Sequence, residues 1–151
     1  MRNYKNAGTA ARRHHKMTVR TLIVDDAPTA RMILRRYLAE VGCDIVGEAD
    51  CSAMADDAIE SAAPDLVTLD IHMPEIRGMD SYALFRKVRK DHPRVEFVVI
   101  SGATFFQNRH DFLRAGAIGY FAKPIDFRGL LTDLRAIFPE LSSYRPPAVT
   151  L

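Results

Sequence analysis

The chain has 151 residues, of which 48% are apolar and 26% are charged, and its formal net charge is +2. This length fits one domain of common size, and the composition is typical of a globular protein with a hydrophobic core, so a mostly disordered chain and a second full domain are excluded. No apolar run approaches the roughly 18 residues that cross a bilayer, and no apolar stretch follows the basic N-terminus as in a signal peptide, so we expect a cytoplasmic protein without a membrane span.

Charge is distributed unevenly along the chain. Six basic and no acidic residues lie in the first twenty positions, whereas the remainder carries 15 basic and 19 acidic residues. A basic leader can bind nucleic acid or anionic lipid, but residues 1–18 lack suitably spaced aromatic residues and an apolar helical face, which favours a solvated, disordered leader. Because Met17 comes just before the first predicted strand, an upstream extension of the natural start is an open alternative. A flexible tail is predicted over residues 142–151, where two prolines are adjacent.

Five short apolar runs predict β-strands at residues 22–24, 45–46, 66–69, 97–100 and 118–121. The runs are continuous and rich in β-branched residues instead of alternating with polar ones, which indicates strands buried on both faces. The two cysteines, Cys43 and Cys51, form no Cys-x-x-Cys pair, so we predict that they pack as small apolar groups and neither form a disulfide nor bind zinc.

Helices are predicted between the strands. Residues 30–41, 54–62 and 130–138 place apolar side chains at the i, i+3, i+4, i+7 spacing of a helix face, and weaker patterns indicate helices near 80–90 and 105–115. Pro28 suits a first helical turn, Gly42 follows the end of that helix, and Pro64 and Pro93 end the next helices. Strict alternation of strand and helix, five times over, predicts an α/β fold with a doubly wound parallel sheet and helices on both faces.

Polar side chains stand where four of the predicted strands end. Asp25 and Asp26 end the first strand, Asp70 ends the third, Ser101 ends the fourth, and Lys123 follows the fifth. The carboxyl ends of parallel strands share one edge of the sheet, where ligands bind in open α/β folds. The sequence therefore predicts that three carboxylates, a hydroxyl and an ammonium group converge.

The chemistry of this set indicates a divalent cation and a phosphoryl group. Three crowded carboxylates repel one another unless a cation relieves them, and hard oxygen ligands that need water to complete the shell favour Mg²⁺ over Zn²⁺ or an all-protein Ca²⁺ site. Lys123 and Ser101 suit the oxygens of a phosphoryl group. Taken singly, Asp26 could cap a helix, Asp70 could be a turn residue and Lys123 could be a surface lysine; their joint placement at one sheet edge favours a site.

The sequence resembles the response-regulator receiver domains over residues 21 to 141. The matching segments are 22–26 (LIVDD), 64–74 (PDLVTLDIHMP), Gly78, 99–103 (VISGA), 116–117 (GA) and 120–124 (YFAKP). This resemblance implies a receiver domain over residues 19–141, of the stand-alone type, with five helices and a flavodoxin-like sheet in the strand order 2-1-3-4-5.

The resemblance also implies the metal and acceptor residues. Asp70 would be the phosphoacceptor and a Mg²⁺ ligand, Asp26 would bind the ion directly, and Asp25 would bind it through water. The backbone carbonyl of His72 would complete the protein's share of the coordination. The imidazole of His72 would lie at the rim, since a lone ring among carboxylates is a poor zinc site.

Further roles follow from the same resemblance. Ser101 and Lys123 would bind phosphoryl oxygens, and the peptide bond from Lys123 to Pro124 would be cis. Ser101 and Tyr120 would form the switch, whereas His72 and Ala103 would tune the lifetime of the phosphoryl group. Arg77 replaces a commonly acidic residue, and Ser101 replaces the more frequent threonine but keeps the hydroxyl.

The implied function is a phosphorylation-activated switch of a two-component system. A histidine kinase or a phosphotransfer protein would phosphorylate the chain, and an unidentified protein effector would recognise the surface of the fourth helix, fifth strand and fifth helix, near Phe105 and Phe106. No DNA-binding domain is expected, and a phosphorylation-dependent homodimer is an open alternative. The chain would not be an enzyme beyond its self-catalysed phosphoryl acceptance and dephosphorylation.

Two other classes remain to be distinguished. A dehalogenase-like phosphatase would need a second aspartate two residues after its nucleophile, where this chain has His72, and it would usually carry an inserted cap for which there is no spare length. A pseudo-receiver that only binds partners would lack an acidic or lysine position, and none is missing.

Overall fold

The computed structural model describes residues 18–102 and 107–143. The predictions for the basic leader, for the tail after residue 143, and for Ala103, Phe105 and Phe106 lie outside the described residues. The strands are β1 (Val19–Val24), β2 (Cys43–Ala49), β3 (Leu66–Asp70), β4 (Glu96–Ser101) and β5 (Gly119–Ala122). They form one parallel sheet in the order β2-β1-β3-β4-β5, which confirms the predicted fold class and strand order.

Helices follow every strand. They are α1 (Pro28–Glu40), α2 (Ser52–Ala62), α3 (Ser81–Asp91), α4 (Gln107–Arg114) and α5 (Phe127–Ile137), with a short 3₁₀ helix over Pro139–Ser143. The predicted boundaries are confirmed: Pro28 opens α1, Gly42 adopts a left-handed φ of 101° just after it, and Pro64 and Pro93 lie beyond the ends of α2 and α3. No helix within the described ranges is long and apolar enough to cross a membrane.

The core has two layers, one on each face of the sheet. Side chains of α2 and α3, including Ile59 and Phe85, pack on one face together with Phe112 of α4. Leu38 of α1 and Leu134 of α5 pack on the other face. Two helical layers over one parallel sheet bury β3 completely and leave only Arg20 of β1 and Glu96 of β4 half-buried. This burial holds the carboxyl ends of the middle strands in place.

Burial on both faces was predicted for all five strands, and this is wrong for the two edge strands. In β2, Asp44 is exposed and the residues from Ile45 to Glu48 are only half-buried, and in β5 Ala122 is exposed. The strand order explains the difference, because an edge strand lacks a neighbour on one side and is covered incompletely by the helices. The predicted apolar helix faces are likewise too wide, since Ile33 and Met54 are 47% and 52% exposed.

Both cysteines of the chain are buried and free, as predicted. Cys43 lies at the start of β2 and Cys51 precedes α2. Burial raises the pKa of the Cys43 thiol to about 11, so this group remains a neutral thiol and packs as an apolar side chain.

Candidate functional site

The sheet brings the predicted polar residues together at its carboxyl edge. Asp70 is the last residue of the central strand β3, and Ser101 is the last residue of β4 beside it. Asp25 follows β1 on the other side of β3, and Lys123 follows β5, whose Ala122 pairs with Ser101. Four strands therefore contribute to one crevice, as the sequence predicted.

Three carboxylates form the floor of this crevice. One oxygen each from Asp25, Asp26 and Asp70 lies within 4.8 Å of the others. Asp25 and Asp70 are only 1% and 3% exposed, whereas Asp26 faces solvent. Hard oxygen ligands at this spacing, with one side open to water, fit a Mg²⁺ ion that keeps part of its hydration shell.

Hydrogen bonds hold Asp70 and the loop that follows it. Its Oδ1 accepts a bond of 3.0 Å from the backbone N–H of His72, and its carbonyl oxygen accepts one of 2.8 Å from the Ser81 hydroxyl at the start of α3. The next residue, Ile71, donates its N–H to the carbonyl of Ile100 at 3.3 Å. The Asp70 carboxylate is thus held by its own loop, and that loop is tied to α3 and β4.

Burial raises the pKa of the Asp70 carboxyl group. The neighbouring charges of Asp25 and Asp26 raise it further, whereas the N–H of His72 and the ammonium group of Lys123 lower it without cancelling the rise. The ionised carboxylate is therefore destabilised in the folded protein as long as no cation binds beside it.

Replacing Asp70 with Asn should stabilise the metal-free protein at neutral pH. The pKa of Asp70 is raised in the folded protein, so the contribution of this group to the free energy of unfolding is fully present when the pH is below the ordinary pKa of 3.8. That contribution is lost as the pH rises through the raised pKa of the folded protein. Because Asn carries no charge, Asp70→Asn should avoid that loss, which we expect to be on the order of 1 kcal/mol. Urea unfolding with a chelator at neutral and acid pH measures the effect, and a variant no more stable than wild type at neutral pH would contradict it.

Lys123 lies within the site and is not a surface lysine. Its Nζ donates to Asp25 Oδ2 at 2.7 Å and lies 3.6 Å from Asp70 Oδ2. Burial lowers the pKa of this ammonium group, but the hydrogen bond to Asp25 and the charges of Asp70 and Asp25 outweigh that effect, so its pKa is raised and it stays charged. The bond from Lys123 to Pro124 is cis, as predicted, and the Lys123 N–H donates to the Ser101 carbonyl at 2.8 Å.

Asp25 and Asp26 differ in burial and in hydrogen bonding. The alternative that Asp26 caps the first helix is wrong, because the cap residue of α1 is Ala27 and no side chain caps it. Instead, the buried Asp25 accepts a hydrogen bond from the Ala27 N–H at 2.8 Å and another from Lys123. Asp26 is the member of the pair that faces the solvent. This difference is compatible with a direct ligand at Asp26 and a less direct one at Asp25.

Comparison with known proteins identifies the family. The family model described as the response regulator receiver domain matches residues 21–135. The chain belongs to this family. As a receiver domain it is part of a two-component system, and receiver domains act as signalling switches.

Curated relatives of this receiver include both short and long proteins. It is 33% identical over 108 residues to the chemotaxis protein CheY of Thermotoga maritima, covering 72% of this chain and 88% of that protein. It is 30% identical over 121 residues to the response regulator GacA of Pseudomonas viridiflava, covering 80% of this chain. The receiver spans 55% of GacA, about half of its length.

Solved structures agree with the fold of the receiver. The structure of the CheX–CheY–BeF₃–Mg²⁺ complex from Borrelia burgdorferi includes a chain that superposes with a TM-score of 0.72 at 26% identity, covering 80% of this chain and 89% of that one. A CheY-like receiver domain protein from Methanospirillum hungatei superposes with a TM-score of 0.70 at 26% identity, covering 83% and 97% of the two chains.

Tyr120, the predicted switch residue of the receiver, lies half-buried in β5. Its ring contacts the cluster around Phe112 of α4, with ring centroids 6.5 Å apart. Its hydroxyl is buried, and among the described residues it has no hydrogen-bond partner. An unsatisfied buried hydroxyl costs about 1 to 3 kcal/mol.

Two contacts of the site were not predicted from sequence. The Ser81 hydroxyl bonds the Asp70 carbonyl, although Asp80 and Ser81 together look like an ordinary helix start, and Asp80 does cap α3. The imidazole of His72, which was predicted to lie at the rim with only its main chain in use, places Nε2 3.0 Å from Ser101 Oγ. No sequence signal could have found this pair, because the two residues are 29 positions apart and meet only through strand pairing.

Proposed function

We propose that this receiver is a phosphorylation-activated switch that takes a phosphoryl group onto Asp70, with Mg²⁺, from a histidine kinase or a phosphotransfer protein. The observation that carries the proposal is the convergence of three carboxylates within 4.8 Å with Lys123 Nζ 3.6 Å from Asp70. Asp70 combines central position, burial and a fixed orientation, which suit a nucleophile that must be positioned accurately.

Four groups of the chain would hold the metal ion. These are the carboxylates of Asp26 and Asp70, the carboxylate of Asp25 through water, and the backbone carbonyl of His72. When bound, Mg²⁺ would supply positive charge that offsets the charge of the phosphoryl group and of the three carboxylates.

Phosphoryl transfer would then use three side chains of the crevice. A carboxylate oxygen of Asp70 attacks the phosphorus, the bond from phosphorus to the donor histidine nitrogen breaks, and that nitrogen keeps the electron pair. Lys123 offsets the negative charge of the phosphoryl oxygens, and the Ser101 hydroxyl donates a hydrogen bond to one of them. Attack by water on the aspartyl phosphate later restores the carboxylate and releases inorganic phosphate. We propose no further enzymatic activity.

The signal would leave through α4, β5 and α5, and a protein effector would recognise it. A phosphoryl group brings about 1.5 to 2 negative charges and strong acceptor oxygens into the crevice, so Ser101 must reorient towards it. The buried Tyr120 hydroxyl lacks a partner among the described residues, and its ring packs against Phe112 of α4. Movement of Ser101 would therefore be followed by a change at Tyr120 and α4.

Amide hydrogen exchange with beryllofluoride, a mimic of the aspartyl phosphate, tests the switch. We expect altered exchange at the end of β4 and in β5, with little change on the parts of α1 and α5 that lie away from the site. The effect should require Mg²⁺ together with beryllofluoride, so each reagent alone serves as a control. Uniform protection of the whole domain, or none, would contradict this route of signalling.

A further inference from the structure

Both side chains assigned to the phosphoryl oxygens already have partners in the unphosphorylated receiver. Lys123 Nζ is 2.7 Å from Asp25 Oδ2, and Ser101 Oγ is 3.0 Å from His72 Nε2. Metal binding at the carboxylates gives a reason for Lys123 to leave Asp25. Nothing in the proposed chemistry yet gives a role to the ring that contacts Ser101.

The two partners in the second contact differ in environment. Ser101 is fully buried at the end of β4, whereas His72 lies in the exposed loop after β3. The same His72 donates its backbone N–H to Asp70 Oδ1 at 3.0 Å. One residue therefore touches both the acceptor carboxylate, through its main chain, and the hydroxyl that must later meet the phosphoryl group, through its ring.

We propose that His72 is a positioning residue that holds the Ser101 hydroxyl in the resting state. For the ring to hold the hydroxyl in this way, Ser101 must donate and Nε2 of the His72 ring must accept the hydrogen bond. A hydroxyl has a single proton to donate, so donation to His72 and donation to a phosphoryl oxygen exclude each other. Phosphorylation must break the contact, and the contact therefore opposes activation. This inference rests on the proposed phosphorylation of Asp70.

The arrangement predicts the effect of removing the ring. His72→Leu should favour the activated state, because Ser101 then has one competitor fewer for its proton. Loss of one hydrogen bond of ordinary strength corresponds to roughly three- to tenfold tighter binding of beryllofluoride with Mg²⁺. The substitution leaves the backbone carbonyl and N–H of residue 72 in place, and because the residue is exposed, the fold should tolerate it.

A set of matched variants separates positioning from a general structural effect. His72→Gln offers an amide oxygen at a similar reach and should restore binding close to that of wild type. In a Ser101→Ala background, His72→Leu should have no further effect, because the partner hydroxyl is gone. His92→Leu removes a different imidazole, one that contacts Glu60 at the other end of the sheet, and should leave binding unchanged.

Titration of each variant with beryllofluoride at fixed Mg²⁺ supplies the test, and ¹⁵N NMR of the His72 ring in alkaline buffer supplies a second readout. We expect the tautomer that carries its proton on Nδ1, which leaves Nε2 as acceptor. Suppose that wild type binds beryllofluoride. The inference is then wrong, and the proposed function stands, if His72→Leu binds beryllofluoride no more tightly than wild type, or if His72→Leu tightens binding even in the Ser101→Ala background. A ring proton on Nε2 would contradict the inference in the same way. If wild type does not respond to beryllofluoride at all, the proposed function itself fails.

Discussion

Asp70→Asn should abolish labelling of the protein by a small phosphodonor such as acetyl phosphate. In wild type we expect one phosphoryl group per chain with Mg²⁺ and no labelling when a chelator removes the metal. Asp70 ends the central strand, its carboxylate accepts a hydrogen bond from the His72 N–H, and its backbone carbonyl accepts one from the Ser81 hydroxyl. Because an amide cannot act as the nucleophile, the variant should fall to background, a loss of at least about a hundredfold.

The sheet offers a matched control for this experiment. Asp50 follows β2 as Asp25 follows β1, but it is exposed and is not among the three clustered carboxylates. Asp50→Asn should be labelled as wild type is. Asp26→Asn should retain the acceptor but need more Mg²⁺, because it loses one ligand. Full labelling of Asp70→Asn, measured by intact-mass spectrometry, would place the acceptor at another residue.

Lys123→Arg should uncouple folding from the response to phosphorylation. Nζ of Lys123 lies close to two carboxylates, and only 28% of its side chain is exposed. A guanidinium keeps the charge but spreads it over a larger planar group that cannot occupy the place of a compact ammonium. We expect the exchange response to beryllofluoride to fall by about tenfold or more, while the free energy of unfolding changes by about 1 kcal/mol or less.

Lys87→Arg is the control for this substitution. Its Nζ also lies 2.7 Å from a carboxylate, that of Asp56, but the pair joins α3 to α2 outside the crevice and is more exposed. The same chemical change there should leave the response intact, since exposed ion pairs tolerate such exchange. If Lys123→Arg unfolds, the role of Lys123 is structural. If Lys123→Arg responds to beryllofluoride as well as wild type does, Lys123 has no role in the switch.

In the unphosphorylated site, the positive charge of Lys123 is paired with the buried carboxylates of the site itself. Lys123 neutralises Asp25 and approaches Asp70, while the pKa of Asp70 stays raised by burial and by its acidic neighbours. A bound cation would relieve this strain among the carboxylates and would let Lys123 turn to a phosphoryl group. The proposed chemistry then requires only small movements of side chains on fixed strand ends.

Much of the fold follows from local sequence features. Continuous apolar runs predict the strands, and the helical period, Pro28 and Gly42 predict α1 and its ends, because both signals depend on residues that are neighbours along the chain. The candidate site was predictable for the same reason. Asp25, Asp70 and Ser101 each end a buried strand, and parallel strands place their ends at one edge whatever the details of packing.

What the tertiary structure alone decided is which partner each of these side chains meets. Strand order made β2 and β5 edge strands and so left them half-covered, which their apolar runs did not show. Long-range packing brought Lys123 to Asp25 and His72 to Ser101 across 98 and 29 residues of chain. Sequence determines the secondary structure and the side chains at each strand end through short-range forces, whereas hydrogen bonds between distant loops depend on the spacing and twist of the assembled sheet, which no local pattern encodes.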